Sequence, residues 1–203
     1  TNGTLLDEDA QRIDTTGKRV LTVSGDISVR SIKEIKNPET KEITQPAVPG
    51  LGELMVQRGK ERWGRIDGAI HVAGINRDWI FFRQSDEDWD AVYNIKVNGA
   101  RNLFQPAYAQ MYRQGEGMLV GVTSVSGEGN ALQANYGAAN MGLEGLINCL
   151  AAEGPVLKKP GILARAVRLG AVDAGMMVEL QATKPEVVQS FVDRMELGRL
   201  ISV

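Results

Sequence analysis

The feature that most constrains this chain is a repeated alternation. Short apolar runs ended by small or polar residues are separated by longer stretches whose apolar residues recur at helical spacing. Arg19–Ser24 (RVLTVS), Ile66–Val72 (IDGAIHV), Met118–Val122 (MLVGV) and Ile162–Val167 (ILARAV) are too short for stable helices and read as strands. Between them, Leu54–Trp63 has a charged outer face. Asp86–Met111 carries Trp89, Val92, Tyr93, Val97, Ala100, Leu103 and Phe104 at helical intervals, and Ala134–Glu153 is rich in small residues. All three stretches predict helices, and Pro185–Met195, with Thr183 in a cap region, predicts a last short one. Strand and helix in alternation predict an α/β fold: a doubly wound, mostly parallel sheet in three layers, built as a single domain over residues 1–203. Such sheets bind ligands beyond the carboxyl ends of their strands, so Asp26, Ala73–Gly74, Ser124 and Gly170 are expected to line one cleft. The Ser- and Gly-rich segment Thr123–Gln133 reads as a loop. The polar stretch 27–50, with three prolines and mixed charge, reads as a surface loop or insertion.

Composition removes several classes of function. Hydrophobic residues at 43% and charged residues at 24% are soluble globular values, and no apolar run approaches the roughly 18 residues of a membrane span. A formal charge of -2 without any Lys/Arg-rich block gives no footprint for nucleic acid. Cys149 cannot pair within the chain, and its apolar surroundings from Leu143 to Ala152 predict a small buried residue in a reduced, cytoplasmic protein. One histidine, His71, and one cysteine are too few for a transition-metal centre, so no metal is expected. The first residue is Thr1 where an intact gene product would start with Met, which predicts an excised or incompletely recorded piece.

The chemistry is concentrated in TSVSGEGNALQANYGAAN, from Thr123 to Asn140. Ser124 ends a strand, and Tyr136 and Asn140 stand four apart on the next helix and so share a face. This pattern resembles the short-chain dehydrogenase/reductase family, whose motif is a Ser after the central strand followed by Tyr-x-x-x-Lys. The resemblance runs from about Leu6 onward, through Ala73-Gly74-Ile75-Asn76-Arg77-Asp78, Asp86-Asp88-Trp89-Asp90, Gln133-Ala134-Asn135-Tyr136 and Gly198-Arg199-Leu200. It implies a Rossmann-like sheet. Asn140 occupies the place of the family's Lys, and a tyrosine far from any cation is a poor acid at neutral pH. Lys96, however, occupies the place of the family's active-site Asn. The paired exchange, Tyr136-Gly137-Ala138-Ala139-Asn140 with Lys96-Val97-Asn98-Gly99-Ala100, is similar to the ketoreductases of modular polyketide and animal-type fatty acid synthases.

The resemblance implies roles. Tyr136 would deliver a proton to a carbonyl oxygen, Ser124 would hydrogen-bond that oxygen, and Lys96 would supply the charge that makes the phenol acidic while holding the nicotinamide ribose. Asn140 would orient Lys96 or a water. Asp26 and Ile27 would meet the adenine end of the cofactor, although Asp26 could equally cap its own segment. Ala73, Gly74, Lys96, Tyr136, Gly170 and Val172 would lie along the rest of the cofactor. The implied function is reduction of a β-ketoacyl thioester, free or carrier-protein-bound, with NADP, NAD remaining open, in a homodimer or homotetramer. Alternatives are an NAD-dependent 3-hydroxyacyl dehydrogenase and a non-catalytic scaffold subunit. The family's glycine-rich turn is absent, so the first βαβ unit and the last strand are expected to be missing from this sequence. Leu169-Gly170 replaces the usual Pro-Gly, Ala174 stands where a Thr often contacts nicotinamide, and the Ser124-to-Tyr136 loop is one residue short of the common pattern. His71 is expected to be structural. Trp79, Phe81 and Phe82 are assigned to substrate contact, core or oligomer packing.

Overall fold

The structure, a computed structural model, describes residues 23, 25–36, 38–41, 43–45, 47–170, 181–182 and 185–193. Its centre is a parallel sheet of β3 (Gly68–His71), β4 (Glu116–Ser124) and β5 (Gly161–Leu169), with β4 in the middle. Each expected strand within these residues is present, β4 and β5 being longer than their apolar runs because pairing continues from Glu116↔Gly161 to Ser124↔Leu169. The shorter ladder runs from Gly68↔Met118 to His71↔Gly121. Parallel pairing leaves the three strands ending at the same side of the molecule. The expected strand at 19–24 falls, except for Val23, outside the described residues.

Helices α3 (Gly99–Gln114) and α4 (Ala134–Val156) bury their apolar sides on one face of the sheet, and α1 (Leu51–Trp63) packs against α3. The core comprises Leu103, Phe104, Ala107 and Met111 of α3, Leu143 and Ile147 of α4, and Leu119, Ile162 and Ala164 from the strands. Alternation along each strand puts the intervening residues on the other face. There Ile70, Val72, Met118, Leu163 and Val167 are exposed. Of the three expected layers, the described residues thus supply the sheet and one helical layer. The last helix, α5, spans Pro185–Val192. No helix among the described residues is long and apolar enough to cross a membrane.

Three expectations are corrected. The stretch 27–50 is not a plain loop: β1 (Ile35–Lys36) and β2 (Ile43–Gln45) form an antiparallel hairpin, extended by an Ile32–Val48 bridge, because β-branched residues flank the turn at 38–40. It is tied down by Asn102 Nδ2, which donates to the carbonyls of Ile27 and Ser28 at 3.0 Å each. Cys149 is exposed, not buried. Helix α4 is apolar around most of its girth, so periodicity does not reveal which side meets the core, and Cys149 falls on the outer side with Met141 and Gly145. The helix expected over Asp86–Met111 is broken into α2 (Asp86–Tyr93), a π-turn at Asn94–Asn98 and α3. The Thr123–Gln133 loop also contains a 3₁₀ turn at Val125–Glu128.

Candidate active site

Each candidate side chain comes from an element whose start is fixed locally. Ser85 caps α2 by accepting the Asp88 N–H at 3.1 Å, and Asp86, Glu87 and Asp88 complement the positive end of its dipole. The helix then widens at Asn94–Asn98, where the Gly99 N–H reaches back five residues to the Asn94 carbonyl. Such π-turns add a residue to the helical path and recur at functional sites. Lys96 lies in this turn, on the buried side with Val92 and Ala100, and is only 4% exposed.

Its ammonium donates to the Ala73 carbonyl, two residues beyond the end of β3, at a long 3.4 Å. A Cβ on Gly74 would stand 3.1 Å from Lys96 Nζ, so glycine leaves the ammonium its place. Burial brings the Lys96 pKa down from 10.5 to about 8, which leaves it mostly charged at neutral pH. His71, 2% exposed, sits beside it, and burial followed by the Lys96 charge holds the imidazole down to about 4. A neutral, edge-on packing partner of Phe104, with Nε2 buried and unpartnered among the described residues, fits the structural role expected of His71.

Ser124 closes β4, and its Oγ accepts the Ser126 N–H at 3.1 Å while lying 3.2 Å from Ser126 Oγ. Leu169 pairs with Ser124, so Gly170 follows directly at the adjacent strand end. The first turn of α4 rests on this loop, since a Cβ on Gly137 would come within 2.9 Å of the Ser126 carbonyl oxygen. Tyr136, next to that glycine, is therefore carried to the Ser124 loop by helix packing. Asn140 is fully buried and donates Nδ2 to the Tyr136 carbonyl at 2.8 Å, leaving Oδ1 as a buried acceptor with no partner among the described residues. Its amide nitrogen is held by its own helix and so is not what would orient Lys96; only Oδ1 is open for such a contact.

The outlying candidates are less uniform. Asp26 turns on itself: Oδ1 accepts from Ser28 N at 2.8 Å and Ser28 Oγ at 2.7 Å, and these bonds lower its pKa. That is the capping behaviour. Ile27 packs against the core, its Cγ2 3.0 Å from where a Cβ on Gly99 would stand, which brings this segment to the end of the π-turn. Val172 and Ala174 lie outside the described residues, as does 198–200. Trp79, Phe81 and Phe82 are 51%, 69% and 76% exposed, which excludes core packing for them; they are surface residues of the 72–85 segment.

Residues that had no assigned role hold that segment against the start of α4. Asn135, 1% exposed, accepts the Tyr136 N–H at 2.7 Å and donates to the Arg77 carbonyl at 2.9 Å. Gln133 donates to Asp78 at 2.8 Å, and the Trp79 N–H reaches the Leu132 carbonyl at 2.9 Å. Their signal in the sequence was the pair of segments Asn76-Arg77-Asp78 and Gln133-Ala134-Asn135, whose mutual contact no spacing rule reveals.

A buried cation and a hydroxyl thus lie at the carboxyl ends of parallel strands, and the helix that carries the phenol packs on the turn that follows the hydroxyl. The profile of the family described as short chain dehydrogenase matches residues 52–185, which hold all four central candidates. The chain belongs to the short-chain dehydrogenase family. Among relatives of this short-chain dehydrogenase, the peroxisomal multifunctional enzyme type 2 of Mus musculus is 38% identical over 124 residues, 61% of this chain and 17% of the relative. The 3-oxoacyl-acyl-carrier-protein reductase FabG of Thermotoga maritima is 36% identical over 146 residues, 71% of this chain and 57% of the relative. An acetoacetyl-CoA reductase of Synechocystis is 34% identical over 122 residues, 60% of this chain and 50% of the relative. The chain therefore spans well under two thirds of the length of each.

Short-chain dehydrogenases work with a nicotinamide nucleotide, and the fit of this site to one can be tested on its own atoms. The Lys96 ammonium has three donors and, among the described residues, one long hydrogen bond, and the bare Cα of Gly74 lets it lie at the strand ends. A hydroxyl-rich ribose is a suitable acceptor for such a cation. The residues present fit the group.

Proposed function

We propose that this short-chain dehydrogenase is a ketoreductase: it reduces the 3-oxo group of an acyl thioester, free or carrier-protein-bound, to a hydroxyl, with NADPH as the preferred reductant. The observation that carries the reading is Lys96, a buried cation held at the strand ends beside Ala73 and Gly74. A buried charge is expensive to keep, and a reaction that builds negative charge on oxygen gives it a use. The bound nicotinamide would supply the hydride. Tyr136 would release its phenolic proton to the carbonyl oxygen, Ser124 would donate a hydrogen bond to the same oxygen, and Lys96 would stabilise the phenolate left behind while holding the ribose. Asn140 Oδ1, an unpartnered buried acceptor, would take a hydrogen bond from Lys96 or from a water between them. Relatives named for 3-oxoacyl and acetoacetyl-CoA reduction support this choice of substrate class.

The oxidative counterpart, a 3-hydroxyacyl dehydrogenase using NAD, is the second reading. It is favoured by the peroxisomal relatives, one of them named a hydratase-dehydrogenase-epimerase. Fluorescence titration with NADPH and NADH separates the two by their relative affinity, and no binding of either points to a non-catalytic scaffold. With acetoacetyl-CoA as substrate, Tyr136→Phe is expected to lower turnover by about 10²-fold or more. Wild-type turnover in that variant would remove the phenol from the mechanism.

A further inference from the structure

Glu144 stands four residues after Asn140 and eight after Tyr136 on α4, and at 8% exposure it is the carboxylate among the buried residues described. Its Oε1 accepts from Thr123 Oγ1 at 2.8 Å and from Arg168 Nε at 2.9 Å, and its Oε2 accepts from Arg168 Nη2 at 2.6 Å. The remaining arm of the guanidinium, Nη1, donates to Glu128 in the 3₁₀ turn that follows Ser124. Thr123 and Arg168 are themselves paired across β4 and β5, one step before Ser124 and its partner Leu169. One connected network therefore touches the residue before Ser124, the turn after it, the end of β5 and the helix that carries Tyr136.

Stability alone is a poor reason for this arrangement. The arginine of this pair is 36% exposed, and an ion pair open to water adds little net stability. What a forked guanidinium and a carboxylate add is direction, because two parallel hydrogen bonds fix orientation as well as distance. Successive strand residues face opposite sides. Fixing Thr123 towards the helix layer therefore fixes Ser124 away from it. Fixing Glu144 likewise sets the rotation and height of the helix that carries Tyr136, about 12 Å away at 1.5 Å per residue.

We infer that Glu144 and Arg168 are positioning residues that lock the Ser124 and Tyr136 halves of the site at one separation, an inference that rests on the function proposed above. They touch no reacting atom. They act through Thr123, the Ser124 turn and helix α4.

The test uses Glu144→Gln, Arg168→Met and the double variant, assayed with acetoacetyl-CoA and NADPH. Each single change is expected to lower kcat by about 10-fold or more, with KM within about threefold, since small misplacements of reacting groups act on the chemical step. The double variant is expected to lose no more than the worse single one, as groups acting as one unit do. Arg168→Lys, a cation without the fork, should recover only part of the loss. Without cofactor or substrate, amide exchange of residues 123–129 should quicken in Glu144→Gln while that of α3 stays as in the wild type. Wild-type kcat in both single variants, fully additive losses in the double one, or unchanged exchange would overturn the inference. If Glu144→Gln does not fold, Thr123→Val removes one hydrogen bond alone, and wild-type kcat in that variant is equally decisive against it. Tyr136→Phe separates the two ideas: if it is inactive while Glu144→Gln is normal, only the network role fails, and if it retains turnover, the proposed function and this inference fall together.

Discussion

Lys96 sits where its charge is disfavoured. Its folded pKa of about 8 lies below its ordinary 10.5, so between these values the unfolded chain binds more protons than the folded one, and stability rises with pH across that window. At neutral pH the penalty amounts to about 3 kcal/mol at 1.36 kcal/mol per unit. Lys96→Met should therefore raise the urea midpoint at pH 7, flatten the gain in stability between pH 8 and 10.5, and still abolish reduction. A midpoint unchanged at every pH would mean that the ammonium is not desolvated. His71 titrates at the other end of the scale. Its folded pKa of about 4 is below the ordinary 6.5, so stability is lost as pH falls from 6.5 towards 4, when the unfolded chain takes the proton first. His71→Asn should lose that slope, and thermal melts of the two proteins across pH 4–7 check it. The places of Ser124 at a strand end and of Tyr136 and Lys96 on helical segments were legible from residue type and spacing, while the roles proposed for them come from the family resemblance. Their neighbours were not legible, because a buried acceptor such as Asn140 Oδ1 or a pin such as Asn135 is defined by what lies opposite it in space.

At the scale of elements, the strands and helices followed from apolar runs and helical periodicity, whereas the interruptions did not. Nothing in NIKVN departs from helical spacing, so the π-turn that carries Lys96 was invisible to pattern reading. The 27–50 hairpin was hidden in the same way by polar composition and prolines. The start of α4 is set by Asn135, whose side chain serves the Tyr136 N–H and the Arg77 carbonyl together. Asn135→Ala would strand both groups at a site that is 1% exposed, and a loss of about 2 kcal/mol is expected. Chemical denaturation measures it. A drop in activity larger than the drop in folded fraction would reveal that the 72–85 segment has also lost its grip on the site.

For the whole molecule, the parallel order of the sheet was expected from the alternation of elements, and it is what brings residues as distant in sequence as Gly74, Ser124 and Gly170 to one end. The side on which helices lie was not legible, because every buried strand residue reads as apolar whichever face it occupies. The face bearing Ile70, Val72, Met118, Leu163 and Val167 is exposed, and apolar areas of this kind bind hydrophobic dyes. Val167→Lys should reduce dye fluorescence of the chain with a change in stability within about 1 kcal/mol. Undiminished fluorescence would show that the face is covered.

The long pairing of β4 with β5 also bears on how the molecule assembles. Between Ser124 and Leu169 the chain leaves the sheet, runs the full length of α4 and returns, so the rungs cannot close until that excursion has been ordered. Contacts between residues so far apart are paid for in loop entropy before they give anything back, which makes them late and slow to form. Ser124 and Tyr136 should acquire their final relation only in the last, rate-limiting stage of refolding, so that turnover returns after helicity and never before it.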